Sequence, residues 1–341
     1  MNIHLLGDSI VKSYGDDEWN FIGGWGDHFK AFLADETEVY NYALGGRSTR
    51  SFLNEGRFED NALFTTEDVP KGLGPALPRI QPGDYVFLQF GHNDDDSKDA
   101  ATRVDRQVPL GEADGQGIYP AVEPIEAMRI SSQELSATYR DSFYPYDSGA
   151  TYKGFLKYYI RQIRQKGAYP ILVTSAVRLT FHGKVICPEP GHHGGKGRYH
   201  DFPYVEAVRQ LGREEQVPVL DLFAASKKMQ EMLGPEDATY MQSIKDAQGN
   251  TIGEVNYNRP EKWPEEYNRR RAERDFGSVD NTHQNRIGSF VFAALLIELM
   301  HEQHILEDKL RQVPTKQVPI PEKLLPRKKD IAAMFHYVKL F

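Results

Sequence analysis

Four short blocks of this sequence carry side chains suited to nucleophilic chemistry: Gly7-Asp8-Ser9, "LGGRS" at 44–48, "GHND" at 91–94 and "DNTH" at 280–283. A serine hydroxyl is a poor nucleophile by itself. It needs a neutral imidazole to accept its proton, and that imidazole needs a carboxylate to fix its tautomer. Ser9, His283 and Asp280 are the residue types for those three tasks, and the three-residue spacing of Asp280 and His283 sets a carboxylate beside an imidazole within one turn. Taken alone, Gly-Asp-Ser is also good turn chemistry, because Gly tolerates positive φ and Asp and Ser bond their own backbone.

The elements that must position these blocks are legible as apolar runs. "IHLL" at 3–6, "VYNYA" at 39–43, "YVFLQF" at 85–90, "YPILVT" at 169–174 and "VPVLDL" at 217–222 read as strands. Between them, "GWGDHFKAFLAD" in the 25–35 region, "TYKGFLKYYIRQIRQKG" at 151–167 and "YVEAVRQLGREEQ" at 204–216 space apolar residues as helices do. That alternation predicts a parallel sheet covered on both faces. Ser9, "LGGRS" and "GHND" then each follow the carboxyl end of a predicted strand, the edge where open parallel sheets bind ligands. "DNTH" lies just before a strongly apolar helix candidate at 287–301. The predicted organisation is one domain over 1–310, interrupted by insertions at about 95–150 and 243–279, with a basic, Pro-containing extension at 311–341.

Bulk properties exclude several alternatives. The 341 residues are 40% hydrophobic, enough for a substantial core, and 41 Lys and Arg against 49 Asp and Glu give a net charge of -8 with no long basic run. Nucleic acid is therefore not an expected partner. Cys187 is the single cysteine, so neither a disulfide framework nor a Cys-based zinc site is expected. No run reaches the roughly 18 apolar residues of a membrane span, and the start "MNIHLLGDS" lacks the basic and long apolar regions of a leader. The expectation is a cytoplasmic protein without a membrane partner.

Together, Ser in "GDS", Gly in "GGRS", Asn in "GHND" and His in an Asp-x-x-His element resemble, in order, the four blocks of the SGNH, or GDSL-type, hydrolases. The segments "LGGRSTRSF", "FGHND", "VTSAVRLTFHGK", "YVEAVRQL", "VPVLDLFAASKKMQEMLGPE" and "DNTHQNRIGS" are similar to the rhamnogalacturonan acetylesterase branch. The resemblance covers most of 1–94 and 151–302 and leaves out the 95–150 insertion, the charged stretch near 243–279 and the tail. It implies a three-layer α/β/α sandwich around a parallel sheet of about five strands, flavodoxin-like in order. It also implies a Ser9, Asp280 and His283 triad, with an oxyanion hole from the N–H groups of Ser9 and Gly46 and the amide of Asn93. The implied activity is removal of O-acetyl groups from pectic, rhamnogalacturonan-type oligosaccharides through an acetyl-enzyme. Acetylated xylan or other sugars are the second substrate class. Two rivals are a lipid or thioester esterase and a non-catalytic carbohydrate-binding protein on the same fold. Because His283 must be neutral, activity is expected to rise with pH through about 6 to 7.

The remaining candidates carry weaker signals. Asp8 reads as a turn or cap residue, and Asp94 as a structural hydrogen-bond partner. Arg47 and His92 are candidate substrate contacts; Arg47 and Arg50 can hold a sugar-acid carboxylate by bidentate pairing or stabilise their loop. His182, Cys187, His192, His193 and His200 share one segment, yet adjacent His192 and His193 lack ligand spacing, so neither metal nor cofactor is expected. Tyr119, Tyr139, Phe143, Tyr144 and Tyr146 in the insertion suit either sugar stacking or core packing. The 311–341 extension is a candidate homodimer surface.

Overall fold

A computed structural model describes residues 1–15, 22–59, 73–95, 106–124, 150–187, 202–246, 276–311 and 322–339. The strands in chain order are β1 (Asn2–Gly7), β2 (Glu38–Asn41), β3 (Tyr85–Gln89), β4 (Tyr169–Val173), β5 (Phe181–His182), β6 (Val185–Ile186), β7 (Val219–Leu220), β8 (Gln242–Asp246) and β9 (Phe276–Gln284). The helices are α1 (Gly26–Phe29), α2 (Thr49–Asn54), α3 (Tyr152–Gln165), α4 (Pro203–Glu215), α5 (Leu222–Asp237), α6 (Arg286–Glu302) and α7 (Lys328–Ala332). These elements form two compact units.

The first unit comprises Met1–Ser9, Glu38–Ser175 and Pro188–Leu220. Its sheet has five parallel strands in the order β2-β1-β3-β4-β7, the flavodoxin-like arrangement that the family resemblance implies. Leu5 pairs with Asn41 on one side and Phe87 on the other, and Leu88 pairs with Leu172. The inner strands are buried along almost their whole length, which is why they read as unbroken apolar runs rather than alternating ones. Leu6, Val86 and Leu88 pack in one core with Phe52 of α2, Phe155 and Tyr159 of α3, and Val208 and Leu211 of α4. α2 starts in a Ser48–Ser51 capping box and α3 on a Thr151 cap. At the end of α4, a Cβ on Gly212 would lie 2.1 Å from Cγ2 of Val219, so helix and strand meet at a distance only glycine permits.

The second unit comprises Ile10–Thr37, Ala176–Cys187 and Asp221–Phe341. Its centre is α6, buried on nearly every side between α1 and α5, hence apolar all round. β8 and β9 form an antiparallel pair with register shifts, and Asn285 caps α6 by accepting the Gly288 N–H at 2.9 Å. The 322–339 stretch of the C-terminal extension is fastened to its own chain. The Glu298 carboxylate accepts the backbone N–H groups of His336 at 3.0 Å, Tyr337 at 2.9 Å, and Val338. The Tyr337 ring stacks on His301 at 4.2 Å.

Three elements depart from the sequence-based expectation. The 25–35 helix is a single α-turn followed by a 3-10 turn, Lys30–Phe32. The strand expected at 217–222 is only Val219–Leu220, because the Asp221 carboxylate accepts the Ala224 N–H and starts α5. Asp280 and His283 belong to β9 rather than to a helical turn. Among the described residues, no helix is long and apolar enough to cross a membrane.

Candidate active site

In the first unit, three loops leave the carboxyl ends of β1, β2 and β3. Ser9, 7% exposed, follows β1 directly. The glycine loop after β2 runs beside it: the Leu44 N–H donates to the Gly7 carbonyl at 3.1 Å, and a Cβ on Gly45 would lie 3.7 Å from Cβ of Ser9. Gly46 has φ +80, a conformation that suits glycine. The Asn93 amide donates to the Arg47 carbonyl at 3.1 Å, which ties the β3 loop to the glycine loop and uses one of its two N–H donors.

Asp94 fastens the same loops from below. Its Oδ1 accepts the Thr49 N–H at 2.8 Å and hydroxyl at 2.5 Å, while Oδ2 accepts the Gly91 N–H at 3.0 Å. Burial pushes its carboxyl up to about 7 in spite of these bonds. The structural role expected for Asp94 is therefore observed. Asp8 sits in the bend that follows β1, fully buried and 3.2 Å from Nδ1 of His92.

The second unit carries Asp280 and His283. Asp280, 1% exposed, has Oδ2 2.9 Å from Nδ1 of His283, and its Oδ1 accepts the backbone N–H groups of Thr282 at 2.9 Å and His283 at 3.1 Å. Burial alone would raise the Asp280 carboxyl; the His283 ring, the charge it carries and the two N–H donors outweigh burial and hold it well below the usual carboxylate range. An ionised Asp280 requires Nδ1 to carry the hydrogen, so a neutral His283 presents its lone pair on Nε2. β8 clamps this element. Ser243 Oγ donates to the His283 carbonyl at 3.0 Å, and Lys245 Nζ lies 3.1 Å from Asp280 Oδ2. With the Gln242 amide turned to satisfy its neighbours, its nitrogen donates to the His283 carbonyl at 2.8 Å and the Asp280 carbonyl at 3.2 Å.

The structure thus gathers Ser9, the 45–46 glycines and Asn93 in one unit, and Asp280 and His283 in the other. The two expected substrate contacts have protein partners of their own. His92 is 2% exposed, with Nδ1 3.2 Å from Asp8 Oδ2. Arg47 is committed within its loop, with Nε 2.8 Å from Glu55 and a bond to the Gly45 carbonyl at 3.0 Å. Arg50 is 8% exposed, and Tyr119 is a core residue at 8%. His192, His193, His200, Tyr139, Phe143, Tyr144 and Tyr146 lie outside the described residues. Lys245 and Ser243 carry no motif in the sequence. Only their pairing across the β8–β9 register reveals them.

The pattern of the GDSL-like Lipase/Acylhydrolase family matches residues 5–242. The chain belongs to that family. A GDSL-like acylhydrolase is a carboxylic ester hydrolase, and so is this protein. The matched span includes Ser9, Gly46 and Asn93 and stops before Asp280 and His283. Among its relatives, this acylhydrolase is 30% identical over 226 residues to the probable rhamnogalacturonan acetylesterase YesY of Bacillus subtilis, covering 66% of this chain and 71% of that one. It is 28% identical over 238 residues to rhamnogalacturonan acetylesterase RhgT of the same organism, covering 70% and 72%. The crystal structure of Bacillus subtilis YxiM superposes with a TM-score of 0.52 at 21% identity over 89% of this chain; the chain spans 57% of that protein's length. That likeness extends the fold alone.

Proposed function

We propose that the protein removes O-acetyl groups from pectic, rhamnogalacturonan-type oligosaccharides, with Ser9 as nucleophile, His283 as general base and Asp280 as its orienting carboxylate. The buried Asp280–His283 contact at 2.9 Å carries the reading, because it sets the tautomer a general base needs. Ser9 Oγ attacks the acetyl carbonyl carbon as His283 Nε2 takes its proton. The oxyanion is met by the N–H groups of Ser9 and Gly46 and the second N–H of Asn93. Collapse breaks the bond to the sugar oxygen, which leaves with the proton from His283, and acetyl-Ser9 remains. Water, deprotonated by His283, then releases acetate and restores the serine.

The pectic substrate is supported by the names of the relatives; acetylated xylo-oligosaccharides are the alternative. The reading includes three further expectations. The 1–310 span acts as one catalytic domain, two copies pair through the C-terminal extension, and the protein is cytoplasmic, as its single cysteine suits. Sedimentation and cell fractionation test the last two.

The deciding experiment is acetate release from acetylated rhamnogalacturonan oligosaccharides, with acetyl-xylo-oligosaccharides alongside, for wild type and Ser9→Ala, with and without a chelator. The expected result is release from the pectic substrate that falls at least about a thousandfold in the variant and ignores the chelator. Turnover retained by Ser9→Ala overturns the mechanism. Silence on every ester, small activated acetates included, leaves the binding-protein reading.

A further inference from the structure

The geometry points to Arg106 as the residue that selects an anionic sugar: we propose that its guanidinium takes the carboxylate of a uronate next to the acetylated residue. The inference rests on the proposed esterase reading and names what that site recognises. Sequence alone does not single out Arg106, which sits in a stretch without period inside the 95–150 insertion.

Its location is unusual. A Cβ on Gly46 would lie 2.9 Å from Nη1 of Arg106 and 3.3 Å from its Cζ, so the guanidinium lies directly on the glycine whose N–H is the proposed oxyanion donor. The neighbouring Gly45 packs against Ser9, with a Cβ position 3.7 Å from the serine Cβ. Arg106 and the nucleophile thus lie against neighbouring glycines of one loop, a span that an acetylated sugar and its neighbour bridge.

The segment carrying Arg106 is held firmly. The Val108 N–H donates to the Asp94 carbonyl at 2.9 Å, the Val108 carbonyl accepts the Tyr204 hydroxyl at 2.7 Å, and the Pro109 carbonyl accepts the Tyr152 N–H at 2.9 Å. A ligand-binding charge on such a support loses little entropy on engagement. Arg47 and Arg57 both pair with Glu55, and Arg50 is buried, whereas Arg106 is partly exposed on the glycine loop. Its guanidinium carries five donors in a planar fork, the geometry that can take a carboxylate alongside contacts it already makes. In a chain of net charge -8, an anionic substrate is not drawn by the overall field, so a local cation beside the reacting carbonyl is what recognition requires. Arginine suits a carboxylate because the fork pairs both oxygens. A neutral acetylated xylan fragment offers it nothing comparable.

The test compares acetate release from native acetylated rhamnogalacturonan oligosaccharides and from the same oligosaccharides after reduction of their carboxyl groups to alcohols. Wild type, Arg106→Gln and Arg106→Lys are assayed on both, with 4-nitrophenyl acetate as a fold and chemistry control. The expected result is a loss in kcat/KM for Arg106→Gln about tenfold larger on the native than on the reduced substrate, carried mainly by KM, with partial recovery in Arg106→Lys. Equal losses on both substrates overturn the assignment while leaving the esterase reading intact. Turnover of 4-nitrophenyl acetate with no release from either oligosaccharide removes the substrate reading, and the role of Arg106 with it.

Discussion

Lys245 Nζ and His283 Nδ1 share one acceptor: Oδ2 of Asp280 lies 3.1 Å from the first and 2.9 Å from the second. The lysine and the imidazole hold the carboxylate from two sides, so Lys245 helps to fix the side chain that orients the imidazole. Lys245→Met is therefore expected to lower kcat on 4-nitrophenyl acetate a few-fold with KM little changed, and Lys245→Arg to restore it. A kcat unchanged in both variants would show that Lys245 only packs there.

Gly46 joins backbone freedom to access. At φ +80, alanine costs about 1–2 kcal/mol of stability, and its methyl meets the guanidinium of Arg106, which must shift to admit it. Gly46→Ala keeps the N–H, so it is expected to lower stability by that amount in urea and to lower kcat only as far as strain swings that N–H off its aim, with about a hundredfold to a thousandfold, the worth of a whole donor, as the ceiling. A variant destabilised by that amount yet fully active would show that the loop holds the N–H in place despite the methyl.

Asp94 titrates where stability is easily measured. Its folded value of about 7 stands above that of an unfolded aspartate, so the folded state binds the proton more tightly. The resulting stabilisation is fully present below about pH 4 and is lost as pH rises through about 7. Wild type should thus lose stability relative to Asp94→Asn, whose amide does not titrate, by a few kcal/mol between pH 4 and pH 8. A difference independent of pH would show that the three bonds to Asp94 keep it ionised throughout.

Glu298 anchors the tail by three backbone N–H groups from 336–338. Glu298→Ala leaves those donors without their acceptor, an expected loss of about 1–3 kcal/mol in unfolding free energy. Limited proteolysis should then trim the C-terminus well before the body. Equal trimming of wild type and variant would mean that the Tyr337–His301 stack suffices to hold it.

The sheet was readable because each inner strand is buried on both faces and leaves an unbroken apolar run, and the blocks were readable because turn and catalytic residue types sit together after those runs. What escaped was whatever depends on partners distant in sequence. Asp8 reads as a turn residue, but its partner His92, 84 positions away in the loop after β3, leaves no mark on that reading. The Arg47–Glu55 pair is equally unsignalled, and Lys245 has no signal until strand pairing brings it to Asp280. The helix expected at 25–35 is shorter, one α-turn at Gly26–Phe29 that tightens into a 3-10 turn at Lys30–Phe32, because a segment so brief gives the apolar spacing little chain over which to act.

The long insertion is pinned near both of its ends, by the Val108 N–H on the Asp94 carbonyl at 2.9 Å and by the Thr151 N–H on the Val122 carbonyl at 3.0 Å. Its described part, 106–124, is thereby tied to the loop after β3 at one end and to the start of α3 at the other. Such a segment acts as a brace: the hydrogen bond that orders it at Val108 also steadies the Asn93–Asp94 loop on which it leans.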